Sequence, residues 1–109
     1  MSRFAALSIL LFAAALEAGG DALIRSGMQT SMILLRVGLF AAGASTLFLY
    51  GLLVNAAPWD FGRLIGIYVV FFFLVAQVVA WATFRETPSA AVLAGGALIV
   101  LGGLILARG

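Results

Sequence analysis

Long apolar runs separated by short polar breaks dominate the pattern of this chain. Four runs are long enough to cross the hydrocarbon core of a membrane, which takes about 20 mostly apolar residues in a helix. They cover residues 4–24, 32–54, 62–84 and 89–107. Transmembrane strands alternate in polarity over about ten residues, and these runs do not. The pattern therefore predicts an all-α fold, a four-helix transmembrane bundle in a single membrane domain covering residues 1–109.

The breaks between the runs are too short to hold a further domain. Residues 25–31 are polar with one glycine, and residues 55–60 form a turn that contains Trp59. Links this short make neighbouring helices antiparallel, so four spans are expected to place both termini on the same side of the membrane. The first run follows Arg3 as in a signal peptide. Acidic and glycine residues and a second apolar run come next, so we expect it to remain as a span.

Composition supports a membrane protein and excludes several functions. Hydrophobic residues make up 65% of the chain and charged residues only 9%, against roughly 25% charged in ordinary soluble proteins. Cysteine and histidine are absent, which removes thiol nucleophiles and the usual zinc sites. We expect no cofactor, no metal, no enzymatic activity and no nucleic-acid partner. The bilayer is the expected partner, in a bacterial-type inner (plasma) membrane.

The arginines are divided evenly between the two ends of the predicted bundle. Three are expected at each end, with Arg3, Arg63 and Arg108 opposite Arg25, Arg36 and Arg85. Orientation normally follows an excess of Lys and Arg in the cytoplasmic loops. An even division leaves two alternatives open. The chain inserts in both orientations, which permits an antiparallel dimer, or its single orientation is fixed by partners or by an arginine that this count assigns to the wrong end.

Two acidic residues in the first span are the strongest indication of function. Glu17 and Asp21 are four residues apart and share one helical face. Glu17 lies about 20 Å along the helix from Phe4, within the hydrocarbon core, where acids usually face a bundle interior or a wet cavity on a transport path. A carboxyl that titrates near neutral pH at this depth can exchange a proton for a cation. The alternative is a structural ladder of ion pairs from Glu17 through Asp21 to Arg25.

Aromatic and amide side chains in the later spans are further candidates for a binding site. Tyr68, Gln77 and Trp81 are expected near one face of the third helix, where they could enclose an organic cation through cation–π contacts and hydrogen bonds. The alternative is interfacial anchoring by the two aromatic residues and a helix–helix hydrogen bond from Gln77. Tyr50 in the second helix is a weaker candidate for the same site.

Pairs of glycines mark the first and fourth spans as packing helices. Gly19 and Gly20 lie between the two acids and would let another helix backbone approach closely. In the fourth span two pairs recur seven residues apart and form one stripe along the helix: Gly95, Gly96, Gly102 and Gly103. We expect this stripe to join two copies in a homodimer, with packing inside one chain as the alternative.

Several of these features occur together in one known family. Between Ala15 and Gly27, the acid Glu17 is followed three residues later by Gly20 and eight residues later by Arg25. A late third-helix tryptophan, fourth-helix glycines and the pair Gly62-Arg63 that opens the third helix follow. In these features the chain resembles the small multidrug resistance family and the related YnfA-like proteins of the drug/metabolite transporter superfamily.

The resemblance implies an antiparallel homodimer that alternates access and exchanges protons for small organic cations. It makes Glu17 the shared proton and substrate site, and it makes Tyr68 the aromatic that stacks on the substrate. We therefore expect a proton-coupled exporter of a cationic small molecule. The alternative is a non-transport accessory subunit that packs against a larger membrane complex, with Glu17 and Asp21 as polar contacts.

The chain departs from the family pattern at three places. Arginine stands at position 25 instead of lysine, and Asp21 adds a second acid to the first helix. Val70 and Phe72 occupy positions where the family has a glycine-rich hinge. These departures concern the substrate and the mechanism of access more than the fold.

Overall fold

Four α-helices and no strands make up the computed structural model, which describes all 109 residues. The helices are α1 (Arg3–Gln29), α2 (Ile33–Val54), α3 (Phe61–Phe84) and α4 (Ala90–Arg108). Each is long and apolar enough to cross a membrane. The prediction of an all-α fold with four helices of membrane-spanning length and polarity is confirmed.

The first helix is longer than the apolar pattern predicts. It continues beyond Ile24 to Gln29, so most of the polar segment predicted as a link is helical. Polarity marks where the membrane ends, whereas the helix ends where its carbonyls find other partners. Arg36 of α2 supplies these partners, because its guanidinium donates to the carbonyls of Gly27 and Met28 at 3.0 and 3.3 Å.

The turn between α3 and α4 brings a charged residue back toward α1. Arg85 ends α3 in the left-handed conformation, with φ of 57°. The backbone N–H of Glu86 then donates to the carbonyl of Ala80 at 3.1 Å, which is the pattern of a Schellman cap. Ser89 starts α4 by accepting a hydrogen bond from the amide of Val92. The tight turn holds Glu86 at the same end of the molecule as Arg25.

The helices are arranged in the order α2, α1, α3, α4. α1 packs against both α2 and α3, while α4 packs against α3. The molecule measures 48 × 34 × 20 Å. α2 and α4 therefore lie at the two edges, and the packing is more open than in a bundle in which every helix contacts two others.

Small residues allow the closest helix contact, between α1 and α2. A Cβ atom on Gly20 would lie 3.2 Å from the carbonyl oxygen of Gly43, and one on Gly43 would lie 3.0 Å from that of Gly20. The two backbones therefore approach each other directly at this crossing, and Leu47 covers it. The adjacent Gly19 has open space around it.

The apolar core lies where α1, α3 and the α2–α3 turn meet. Alanines on α1 bring the other elements close, and the buried members of the cluster are Leu10, Ala13, Ala14, Val54, Ala57, Leu64, Ile67 and Tyr68. Tyr68 is the only one with a polar side-chain group, and its hydroxyl donates a hydrogen bond to Glu17 of α1. The core thus fixes the position of one candidate site residue.

Candidate functional site

Glu17 lies near the middle of α1 and is hydrogen-bonded to α3. At 1.5 Å per residue, it is about 21 Å from Arg3 and about 18 Å from Gln29. The hydroxyl of Tyr68 donates to its Oε1 at 2.8 Å. The ring of Tyr68 is only 3% exposed, so the core holds the donor in place. The structure brings together two predicted site residues that are 51 positions apart in sequence.

Three aromatic rings form a stack beside this hydrogen bond. The ring of Tyr68 stacks on Tyr50 of α2 at a centroid distance of 5.6 Å. On α3 it stacks on Phe72, one turn further along, at 6.2 Å. Three helices therefore contribute to the surroundings of Glu17, and the Tyr50 hydroxyl makes no hydrogen bond of its own.

Asp21 lies one turn beyond Glu17 and has no partner in the chain. It makes no hydrogen bond or ion pair. It lines a crevice of about 220 Å³ between α1 and α3. The walls of this crevice are alanine, valine and phenylalanine side chains, including Phe72 and Phe84, with Arg25 and Glu86 as its other charged residues. Asp21 is thus a free carboxylate facing a mostly apolar crevice.

The structure does not contain the ion-pair ladder along α1 that was the alternative to a transport role for the acids. Arg25 pairs instead with Glu86, at 3.9 Å between Nη1 and Oε2, and its guanidinium lies over the ring of Phe84 at 5.5 Å. Asp21 and Arg25 share a helical face, but the turn after α3 offers Arg25 a different acid. A structural role for Asp21 as the middle of a ladder is therefore wrong for this fold.

Gln77 and Trp81 lie apart from Tyr68, contrary to the prediction of a shared face. Gln77 is nine residues from Tyr68, which is 2.5 turns of helix and places it on the opposite side of α3. That side packs on α4 through Val70 and Phe73. Trp81 is 54% exposed, and Arg85 lies over its ring at 5.5 Å. Within one chain the aromatic–amide box around an organic cation is not assembled.

Comparison of this chain with protein-family models, with curated proteins and with solved structures gives no match. What the site can do therefore follows from its own residues. No group of three or more His, Cys, Asp and Glu side chains comes together to hold a metal ion. The site offers a carboxyl that can gain or lose a proton, a hydroxyl donor held against it, aromatic faces and a second free carboxylate. This set suits a cation of limited size better than an anion.

The four glycines of α4 divide into two faces. Gly96 lies under the ring of Phe73, and Gly103 lies against Val70, so these two pack on α3. Gly95 and Gly102 have no atom within contact distance of a Cβ position. One glycine of each pair thus serves packing within the chain, and the other leaves an open face on an edge helix.

Three residues that the sequence did not assign to a candidate site belong to this region. Phe72 stacks on Tyr68 and lines the Asp21 crevice, Glu86 holds Arg25, and Gly43 is the partner of Gly20. Gly43 has a detectable signal, since it is a lone glycine in the middle of an apolar span. The other two depend on how α3 is rotated against α1, which helical spacing does not specify.

Proposed function

We propose that this chain is a small proton-coupled transporter, similar to the small multidrug resistance family, that exports a cationic small molecule as a homodimer. The hydrogen bond from Tyr68 to Glu17 halfway along α1 carries the proposal. A carboxylate at that depth costs about 3 kcal/mol even on the lenient insertion scale, and such residues mark transport paths. Asp21, one turn away and without a partner, extends the acidic surface along the same helix face.

The proposed cycle uses Glu17 for both the proton and the cation. When Glu17 is protonated, the site is neutral and holds no cation. An arriving cation replaces the proton, which leaves the site. The Tyr68 hydroxyl then donates a hydrogen bond to the Glu17 carboxylate and keeps this carboxylate oriented. The rings of Tyr68, Tyr50 and Phe72 offer flat apolar faces to an organic cation. Release on the other side of the membrane follows when the dimer reverses its facing side and Glu17 takes up a proton again.

The homodimer, the orientation and the location are part of the same proposal. The open glycine face of α4 supports a contact between two copies, because small residues let helices in a membrane approach closely. Arg3 and Ala107 line one cavity, which supports placing both termini on the same side. The even division of arginines supports an antiparallel pair, and a bacterial-type inner membrane would supply the proton gradient.

Proton-driven uptake into liposomes tests the proposal directly. Purified protein is reconstituted, a pH gradient is imposed, and the flux of a fluorescent organic cation such as ethidium is followed. We expect flux above that of protein-free liposomes in the wild type and its complete loss in Glu17→Gln. Asp60→Asn is the matched control, because Asp60 lies in a turn outside the four helices, at the N-cap position of α3, and its side chain makes no capping hydrogen bond. Absence of flux in the wild type, or equal flux in Glu17→Gln, would overturn the proposal.

The open edges of the layer favour one second candidate, a non-transport subunit of a larger membrane complex. α2 packs mainly on α1, and α4 packs mainly on α3, so both leave wide apolar faces uncovered. Mild detergent extraction at native expression level distinguishes the two candidates. Recovery of a defined larger complex supports the subunit, whereas recovery of a pair of identical chains supports the transporter.

A further inference from the structure

A groove along α3, between α1 and α4, has no occupant from the chain. α1 and α4 both pack on α3, so α3 forms its floor and the two other helices form its walls. The groove encloses about 280 Å³. Its apolar lining includes Leu7, Ile67, Phe71, Val100 and Leu104. We call it the Arg3 groove, after the charged residue in its lining.

The Arg3 groove has the polarity of an amphiphile. Aliphatic and aromatic side chains line it toward the middle of the helices, whereas Arg3, Trp59 and Ala107 line the end at the helix termini, which we call its mouth. On α4 the lining runs from Val100 to Ala107, about 10 Å along the helix. Apolar cavities do not hold ordered water well, whereas tryptophan and arginine favour the level of the lipid headgroups. The groove is therefore suited to an acyl chain with a polar group at its mouth.

The charge at this end of the molecule indicates the sign of that polar group. Arg3 makes no ion pair in the chain. Arg63 lies beside Gly109 at the end of α4, and Arg108 occupies the last turn of α4. Asp60 is the only acidic side chain near these three arginines in the sequence and the fold. An anionic headgroup therefore finds an excess of positive charge at the mouth of the groove.

We propose that the Arg3 groove binds one acyl chain of an anionic phospholipid and that Arg3 contacts its phosphate group. This proposal does not depend on transport. A second copy of the chain is the competing occupant, but the open glycines of α4 point elsewhere. Gly102 is two residues from Leu104, or about 200° around the helix axis, so a partner on Gly102 would leave the groove free.

Quenching of Trp59 by brominated lipids tests this site. The chain has two tryptophans, and Trp81→Phe leaves Trp59 as the single reporter in the lining of the groove. The protein is reconstituted in phosphatidylcholine vesicles that contain a minor share of brominated phosphatidylglycerol or, separately, of brominated phosphatidylcholine. We expect phosphatidylglycerol to bind about fivefold more tightly near Trp59, the preference that one arginine near a membrane surface gives.

Three further variants in this background identify the source of the preference. Arg3→Gln should remove it, while Arg63→Gln should keep it, because Arg63 does not line the groove. Ala107→Phe should fill the mouth and weaken quenching by both lipids. Equal quenching by the two lipids before any charge is changed overturns the proposal, and so does a preference that survives Arg3→Gln. If Arg3→Gln and Arg63→Gln reduced the phosphatidylglycerol preference equally, the preference would come from general surface charge, and the proposed contact of Arg3 would be overturned. Absence of quenching by both lipids would also overturn the proposal, because it would mean that no acyl chain reaches the groove.

Discussion

The first and the last helix of this chain are both long and apolar enough to cross a membrane, but they have opposite roles in the fold. α1 has seven buried residues, contacts two helices and carries both acids found within the spans. α4 has two buried residues, both glycines, packs on α3 and has no polar side chain between Ser89 and Arg108. α1 finds its partners inside the chain, whereas α4 leaves much of its surface without one.

This difference indicates how a chain of 109 residues can place its polar side chains on one helix and its open packing surface on another. Polar side chains in a membrane need partners, so they belong on the helix that other helices surround. A helix without polar groups has no such need, and it can lie at an edge and contact a second chain through small residues. The glycines follow this division in part. Gly20 and Gly27 on α1 meet α2, whereas Gly19 on α1 has open space around it. On α4, Gly95 and Gly102 meet nothing.

The largest stability effect is expected where α1 meets α2. Gly20→Val would place side-chain atoms against Leu47 and the Gly43 carbonyl, and overpacking of this kind should lower the free energy of unfolding by about 3 kcal/mol. Gly19→Val is the matched control at the neighbouring position, which has open space around it. Unfolding in mixed detergent micelles, followed by circular dichroism, measures both. Equal losses in the two variants would contradict a close backbone contact at Gly20.

The next effect concerns the two faces of α4. Gly95→Leu combined with Gly102→Leu should leave the helices intact and weaken the proposed dimer by about 2 kcal/mol, or about 30-fold in its dissociation constant. Energy transfer between labelled copies in vesicles measures the dimer. The matched pair Gly96→Leu and Gly103→Leu should instead lower the unfolding midpoint, because these glycines lie against Phe73 and Val70. A dimer unaffected by the first pair would place the interface elsewhere.

Hydropathy was sufficient to predict the four helices, because a run of about 20 mostly apolar residues is the length that a helix needs to cross a membrane. It could not place the end of α1, since Arg36 of another helix caps the carbonyls of Gly27 and Met28. Helical periodicity of 3.6 residues does separate Tyr68 from Gln77, so their predicted shared face was an error that the spacing itself corrects.

Contacts between helices were the part of the site that the sequence could not provide. The bond from Tyr68 to Glu17 and the ion pair from Arg25 to Glu86 both depend on how α3 is rotated and shifted against α1. An acid on the same face of one helix, such as Asp21 for Arg25, is visible in the spacing. The spacing does not reveal Glu86, which the left-handed turn at Arg85 brings back toward α1.

A smaller effect should come from the hydroxyl that orients Glu17. Tyr68→Phe keeps the stacked rings and removes the hydrogen bond, so the transport efficiency should fall about tenfold, which corresponds to about 1.5 kcal/mol for a bond to a charged group. Tyr50→Phe is the control, because it removes a hydroxyl that makes no hydrogen bond from the neighbouring ring of the stack. The liposome flux assay measures both variants. A greater loss of transport efficiency in Tyr50→Phe would mean that the hydroxyl of Tyr50 on α2, and not that of Tyr68 on α3, orients Glu17.

The smallest effect is expected at the charged end of α1, where the choice of partner matters more than its strength. Both side chains of the Arg25–Glu86 pair are more than half exposed, so their coupling should be below about 1 kcal/mol. A double-mutant cycle with Arg25→Gln and Glu86→Gln, read from unfolding free energies, measures it. The parallel cycle with Asp21→Asn should give no coupling, since Asp21 has no ion pair. Coupling of Arg25 to Asp21 but not to Glu86 would restore the ion-pair ladder along α1. Asp21 would then have a partner, and the contrast between α1 and α4 would be weaker.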